Sequence, residues 1–136
     1  MNITVSHTRG RVPVTVLQPH GDLDASTYKD LIEKAREIIA AGAHDILLDL
    51  SDVPYMSSSG VVALQSIAML LRGEELPESG WEAMRAINRE SARGTQQHLK
   101  LLSLQPRVDK TLEMAGLKQF IEVYADLATA VASFSG

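Results

Sequence analysis

The chain contains no cysteine, which excludes disulfide staples, thiolate metal sites and a cysteine nucleophile. Aromatic side chains are scarce, 4% of 136 residues, so there are few platforms on which nucleic-acid bases could stack. Positive charge is in deficit: 13 Lys and Arg against 17 Asp and Glu leave a net charge of −4. With no basic field to collect phosphates, neither nucleic acid nor an anionic lipid surface is expected as a direct partner. Long apolar runs are missing too. The longest nearly apolar stretch, 61–71, is interrupted by Gln65 and Ser66 and falls well short of the roughly 20 residues that span a bilayer, so no membrane insertion is expected. The start, Met1-Asn2-Ile3-Thr4-Val5, enters strand-like alternation at once, without the basic head and apolar core of a signal peptide. A cytoplasmic protein is the expectation.

What is present is enough for one hydrophobic core. A chain of 136 residues is about one domain's worth, and residues 1–136 are read as one. Changes in apolar periodicity set the order of its elements. Residues 3–5 and 12–18 read as strands around an Arg9-Gly10-Arg11 turn, with Pro13 marking an edge or a strand start. Leu31, Ile32, Ala35, Ile38 and Ile39 recur at helical spacing, with Ser26 or Thr27 as N-cap and Gly42 as the stop. Residues 46–50 form the compact apolar run of a strand covered on both faces, which should be central. A helix from Ser57-Ser58-Ser59-Gly60 to about residue 72 follows. Then come a strand at 99–102, a helix at 108–115 closed by Gly116, a strand at 120–124 and a last helix capped by Asp126. This alternation argues for an α/β fold, helices packed on a central mixed, mostly parallel sheet.

Residues 73–98 interrupt that rhythm. The segment opens with Glu74, Glu75, Pro77, Glu78 and Gly80, a polar, breaker-rich linker, and then reads as an inserted helix. Trp81, Met84 and Ile87 share one face and are expected to pack inward; Arg85, Arg89 and Arg93 form a second stripe, facing water or an acidic partner.

The segment 49–60 leads from the central strand into a helix and places hydroxyls at the helix start. Unpaired N–H groups and the positive end of the macrodipole favour an oxygen acceptor there, and a phosphate more strongly. Plain N-capping and phosphate acceptance both fit three serines and a glycine. A hydrolase nucleophile elbow needs Gly-x-Ser-x-Gly; around Ser58 the second glycine is Gly60, but the first position is Met56. Of His7, His20, His44 and His98, only His20, beside the Gly21-Asp22 turn, has an evident route to the same end of the sheet. No His, Asp and Glu set shows metal-ligand spacing, so catalytic residues, metal ligands and cofactors are not expected. The helix after Gly60 is apolar on all sides and must be covered on all sides. The sheet takes one side. The insertion, a second copy of the chain in a homodimer, or a different protein meets the other, with Met69 and Leu70 as the expected contact.

Taken in order, the Gly21-Asp22-Leu23-Asp24 turn, the strand exit Leu48-Asp49-Leu50-Ser51-Asp52-Val53, the loop Tyr55-Met56-Ser57-Ser58-Ser59-Gly60-Val61 and the Val108…Leu112…Ala115-Gly116-Leu117…Phe120 stretch resemble the STAS domain family, best known from bacterial anti-sigma factor antagonists. The resemblance covers nearly the whole chain except 73–98, where the family usually makes a shorter connection. It implies a STAS-like α/β fold and a switch rather than an enzyme. In the family the loop commonly reads Asp-Ser-Ser/Thr-Gly, and the serine after the Asp is phosphorylated by a partner kinase that is itself the anti-sigma factor. Carried onto this chain, that serine is Ser58, with Ser59 and Gly60 following and Ser57 in the place of the usual Asp; Asp22 and Asp24 match the turn beside the loop. The resemblance also admits a constitutive, unphosphorylated STAS subunit of a signalling scaffold or lipid-transport complex.

Overall fold

Two runs with alternating β-branched residues open the chain and pair with each other, and every later strand is laid down beside its predecessor. The computed structural model describes residues 1–76, 82, 85, 87 and 94–136. Its sheet runs in chain order: β1 (Asn2–Arg9), β2 (Pro13–His20), β3 (Ile46–Asp49), β4 (Gln96–Leu102) and β5 (Ile121–Tyr124). β1 and β2 form an antiparallel hairpin, Asn2 opposite His20 and Arg9 opposite Pro13. The other pairings are parallel, with Leu17 beside Leu48, Leu48 beside Leu101 and Leu101 beside Val123. The sheet is therefore mixed and mostly parallel, and Pro13 begins its strand, where a missing N–H is tolerated. The hairpin arms are longer than the apolar alternation indicates, because backbone pairing continues through the exposed polar residues of β1.

The crossovers carry α1 (Tyr28–Ala40), α2 (Ser58–Leu71) and α3 (Pro106–Ala115), the last followed by a 3₁₀ turn at Leu117–Gln119; α4 (Leu127–Ser133) follows β5. Each parallel crossover steps to the next strand in the same direction, so right-handed connections place their helices on one face. On that face Ile46, Leu48, Leu99 and Leu101 meet Leu31 and Ala35 of α1, Leu64 and Ile67 of α2, and Leu112 of α3. The intervening Leu47 and Leu102 meet Ala130, Val131 and Phe134 on the other face. β3, fully buried along Ile46, Leu47 and Leu48, is the central strand its apolar run implies.

α2 is buried from Gly60 through Met69. The sheet, α1 and α3 pack against it, and Ile87 of the insertion is buried in the same core. Met69, expected at a partner contact, is only 4% exposed within the chain itself. That part of the expectation is corrected; Leu70 is half-buried against the same core and keeps access to solvent. Inside the insertion Ile87 is buried and Arg85 exposed, as their spacing implies. Trp81, Met84, Arg89 and Arg93 lie outside the described residues.

Candidate functional site

The carboxyl end of β3 fixes the start of the loop. Leu50 N–H bonds the Leu102 carbonyl (2.9 Å), Asp49 Oδ1 accepts from Ser51 N–H (3.0 Å), and Val53 N–H returns to the Leu50 carbonyl (3.1 Å). Val53 and Met56 are buried, which pins the loop from below and leaves its polar residues outside. From there α2 begins at Ser58. Ser57, in extended conformation, is the N-cap, and its Oγ accepts from Ser59 N–H at 3.2 Å. Ser58, the first helical residue, is exposed, whereas Ser57 and Ser59 are half-buried. The three serines are thus inequivalent: one caps, one is partly covered, and one presents its hydroxyl to solvent beside the unpaired N–H groups of a helix start.

The Gly21-Asp22-Leu23-Asp24 turn lies against this loop. Gly21 N–H bonds the Asp52 carbonyl (2.9 Å), Leu23 N–H the Tyr55 carbonyl (3.0 Å), and Ser57 N–H the Leu23 carbonyl (3.0 Å). Asp22 is exposed. Asp24 is committed to local structure: its Oδ1 accepts from Ser26 N–H (2.9 Å) and Ser26 Oγ (2.7 Å). The Ser26 hydroxyl first, then its N–H and the Thr27 donors, hold this carboxyl below the usual carboxylate range. Thr27 occupies the N-cap position of α1 without a capping bond; its hydroxyl oxygen accepts instead from Asp24 N–H at 3.0 Å and donates to the Asp22 carbonyl at 2.8 Å.

Gly60 is set by a close approach. A Cβ there would stand 2.9 Å from the Leu23 carbonyl oxygen and collide with the Met56 side chain, so glycine is what lets α2 start directly against the turn. On the opposite flank α3 reaches the same loop. Gln105 Nε2 donates to the Ser51 carbonyl (2.8 Å), Thr111 Oγ1 to the Met56 carbonyl (3.3 Å), and the Arg107 guanidinium lies 4.7 Å above the centre of the Tyr55 ring. The sequence carries no local sign of these three residues, which follow the loop by some fifty positions. His20 does lie at this end of the sheet. Its Nδ1 bonds the Asp52 carboxylate and its Nε2 pairs with Thr4 Oγ1 at 2.8 Å, so both ring nitrogens serve partners other than Ser58.

The opposite end of the sheet gathers a group that linear spacing concealed. His44, Asp45 and His98 bring one donor atom each within 4.8 Å of one another, although 53 positions separate Asp45 from His98.

Among the described residues, no helix is long and apolar enough to cross a membrane. No curated protein matches the chain in sequence. Among solved structures, an anti-sigma factor antagonist from Mycobacterium paratuberculosis superposes with a TM-score of 0.69 at 18% identity, over 97% of this chain and 92% of that one. The Bacillus cell fate determinant SpoIIAA in its phosphorylated form gives 0.54 at 20% identity, over 96% of each chain. The unphosphorylated form of SpoIIAA, also described as an anti-sigma factor antagonist, gives 0.53 at 15% identity, over 95% of this chain and 93% of that one. These likenesses establish a shared fold. The STAS domain family model matches residues 5–76, from β1 through the serine loop and α2, and on that match the chain belongs to the STAS domain family.

Proposed function

We propose that the protein is a cytoplasmic anti-sigma factor antagonist, a binding module rather than an enzyme, whose Ser58 is the phosphate acceptor of a partner-binding switch. The observation that carries this reading is the division of labour at the start of α2: Ser58 alone of the three serines is exposed at the first helical position, while Ser57 is spent on capping. Unphosphorylated, the loop, the Asp22 turn and the two accessible ends of α2, Ser58 and Leu70, dock on an anti-sigma factor with serine-kinase activity, which then releases its sigma factor. A phosphoryl group adds about −1.5 to −2 charge. At a helix start that charge is accommodated by N–H groups and the macrodipole, so the fold survives phosphorylation. The docking surface does not, because bulk and charge now stand where the partner must close.

Ser57 supports a second reading. It stands where the family often has Asp, and without that carboxylate the kinase loses a feature beside the acceptor; a constitutive subunit of a STAS-containing scaffold needs no such feature. Incubation with the cognate kinase and ATP, followed by peptide mass spectrometry, decides between them. Phosphate on Ser58 is expected, with Ser58→Ala binding the partner persistently and Ser58→Asp binding it weakly, both variants remaining folded. Phosphate confined to Ser57 or Ser59 refutes the assignment. No phosphate, with Ser58→Asp binding as wild type does, refutes the switch and favours the constitutive subunit.

A further inference from the structure

At the end of the sheet remote from the serine loop, three of the chain's four histidines, His7, His44 and His98, lie around Asp45 and its neighbouring cleft. Asp45 directly precedes β3, and its carbonyl is fixed by Thr15 N–H at 2.9 Å. Its carboxylate is 4% exposed. Oδ1 lies 2.9 Å from Nδ1 of His98, a β4 residue whose side chain is 25% exposed, and Oδ2 lies 3.5 Å from Nδ1 of His44, 69% exposed on the connection after α1. The two imidazole rings meet edge to face with centres 4.3 Å apart.

A buried carboxylate normally has a Lys or Arg, a metal ion or several backbone donors to offset its desolvation. Among the described residues, no Lys or Arg pairs with Asp45; both of its oxygens face imidazoles. The geometry points to a binding site for one divalent transition cation of the zinc class, held by His44, Asp45 and His98. Two nitrogens and one oxygen are the donor set such borderline cations take, and three protein ligands leave one position open. Hard cations such as Mg²⁺ or Ca²⁺ want all-oxygen shells of six or more. Ligands at about 2.0–2.2 Å from a tetrahedral ion stand about 3.3–3.5 Å apart. Taking one donor atom from each residue, the three lie within 4.8 Å of one another, and a rotation of His44, 69% exposed, brings the set toward that spacing. His44 and Asp45 also line a cleft of about 660 Å³ together with His7 and Thr15 from β1 and β2, from which water completes the shell. Occupied, the site would tie the α1–β3 connection to β4.

Calorimetric titration of the untagged chain with Zn²⁺ tests this, alongside thermal melts and the visible spectrum of the Co²⁺-loaded protein. One Zn²⁺ per chain, a Zn²⁺-dependent rise in Tm and Co²⁺ absorption of a four-coordinate nitrogen and oxygen site are expected, with no effect of Mg²⁺. Loss of an outer-shell partner already weakens metal sites by about 10–100-fold; His44→Ala, at an exposed position that the fold does not need, therefore loses at least tenfold in Zn²⁺ affinity and the Tm rise with it. His98→Ala gives the same result. Absence of binding to the wild type, equal binding of Mg²⁺, or unchanged affinity in His44→Ala overturns the site.

Discussion

Replacing Ser57 by Ala removes the hydroxyl that holds Ser59 N–H, and caps of this type are worth about 0.5–2 kcal/mol. Urea unfolding of Ser57→Ala is expected to show a loss in that range, whereas Ser57→Asp, an equally good cap, stays near wild-type stability. If Ser57→Ala is as stable as wild type, the cap is not a stabilising contact. Asp24 makes a prediction in acid. Its folded-state pKa lies below that of an ordinary aspartate, so its contribution is fully present above the ordinary value and is lost as the pH falls through the folded value. Stability of the wild type should drop more steeply below about pH 4 than that of Asp24→Asn; parallel acid profiles from urea melts at stepped pH would count against this. The serine loop and the Asp22 turn were legible from the order of motifs, and their adjacency follows from strand topology. The unequal exposure of the serines was not legible, since it depends on how α2 is rotated against Leu23 and Met56. Nor was the Asp45 cluster, whose members meet only through the β3–β4 pairing.

At the scale of elements, α4 is the sole helix, among the described residues, on its face of the sheet, and it is short. Phe134, fully buried at its end, covers Leu47 and Leu102 and also lies 4.8 Å under Lys100 Nζ, which donates to the Ser133 carbonyl and pairs with Glu122 at 3.0 Å. Phe134→Ala should cost about 3–5 kcal/mol, the usual range for emptying a buried aromatic site. A loss below 1 kcal/mol in urea unfolding would mean that α4 contributes little to the cover. Element order was readable because each period change is sharp: the continuous apolar run of β3, the 3.6-residue repeat of α1, the left-handed Gly116 that ends α3. The length of β1 was not, because an edge strand with exposed polar residues owes its extent to backbone pairing rather than to burial. The cover of α2 was unreadable for a related reason: apolarity on every side says that something covers a helix, not which part of the chain does.

For the molecule as a whole, the parallel arrangement separates two ends of one sheet. The carboxyl ends of β3 and β4 carry the serine loop and its α3 flank, while the amino ends carry His44, Asp45 and His98, so the switch and the proposed cation site are joined by rigid strands and share no residue. The longest connection in the sheet's chain-order topology runs from Asp49 to Gln96, where the insertion lies. The entropy lost in closing a chain segment rises only with the logarithm of its length, and each doubling adds about 0.6 kcal/mol. Shortening this connection to a bare crossover therefore recovers about that much, whereas it also withdraws Ile87 from the core, and truncating a buried Ile costs about 2–5 kcal/mol. A chain lacking residues 77–93, which leaves β4 from Gln96 intact, rejoined by a short loop, should unfold in one cooperative transition at a lower urea midpoint than wild type; a midpoint equal to or above wild type, or no transition at all, would contradict this. The same logarithm means that a further insertion beside the first would add little to the closure cost, so this crossover can acquire chain length without surrendering the register of β3 and β4.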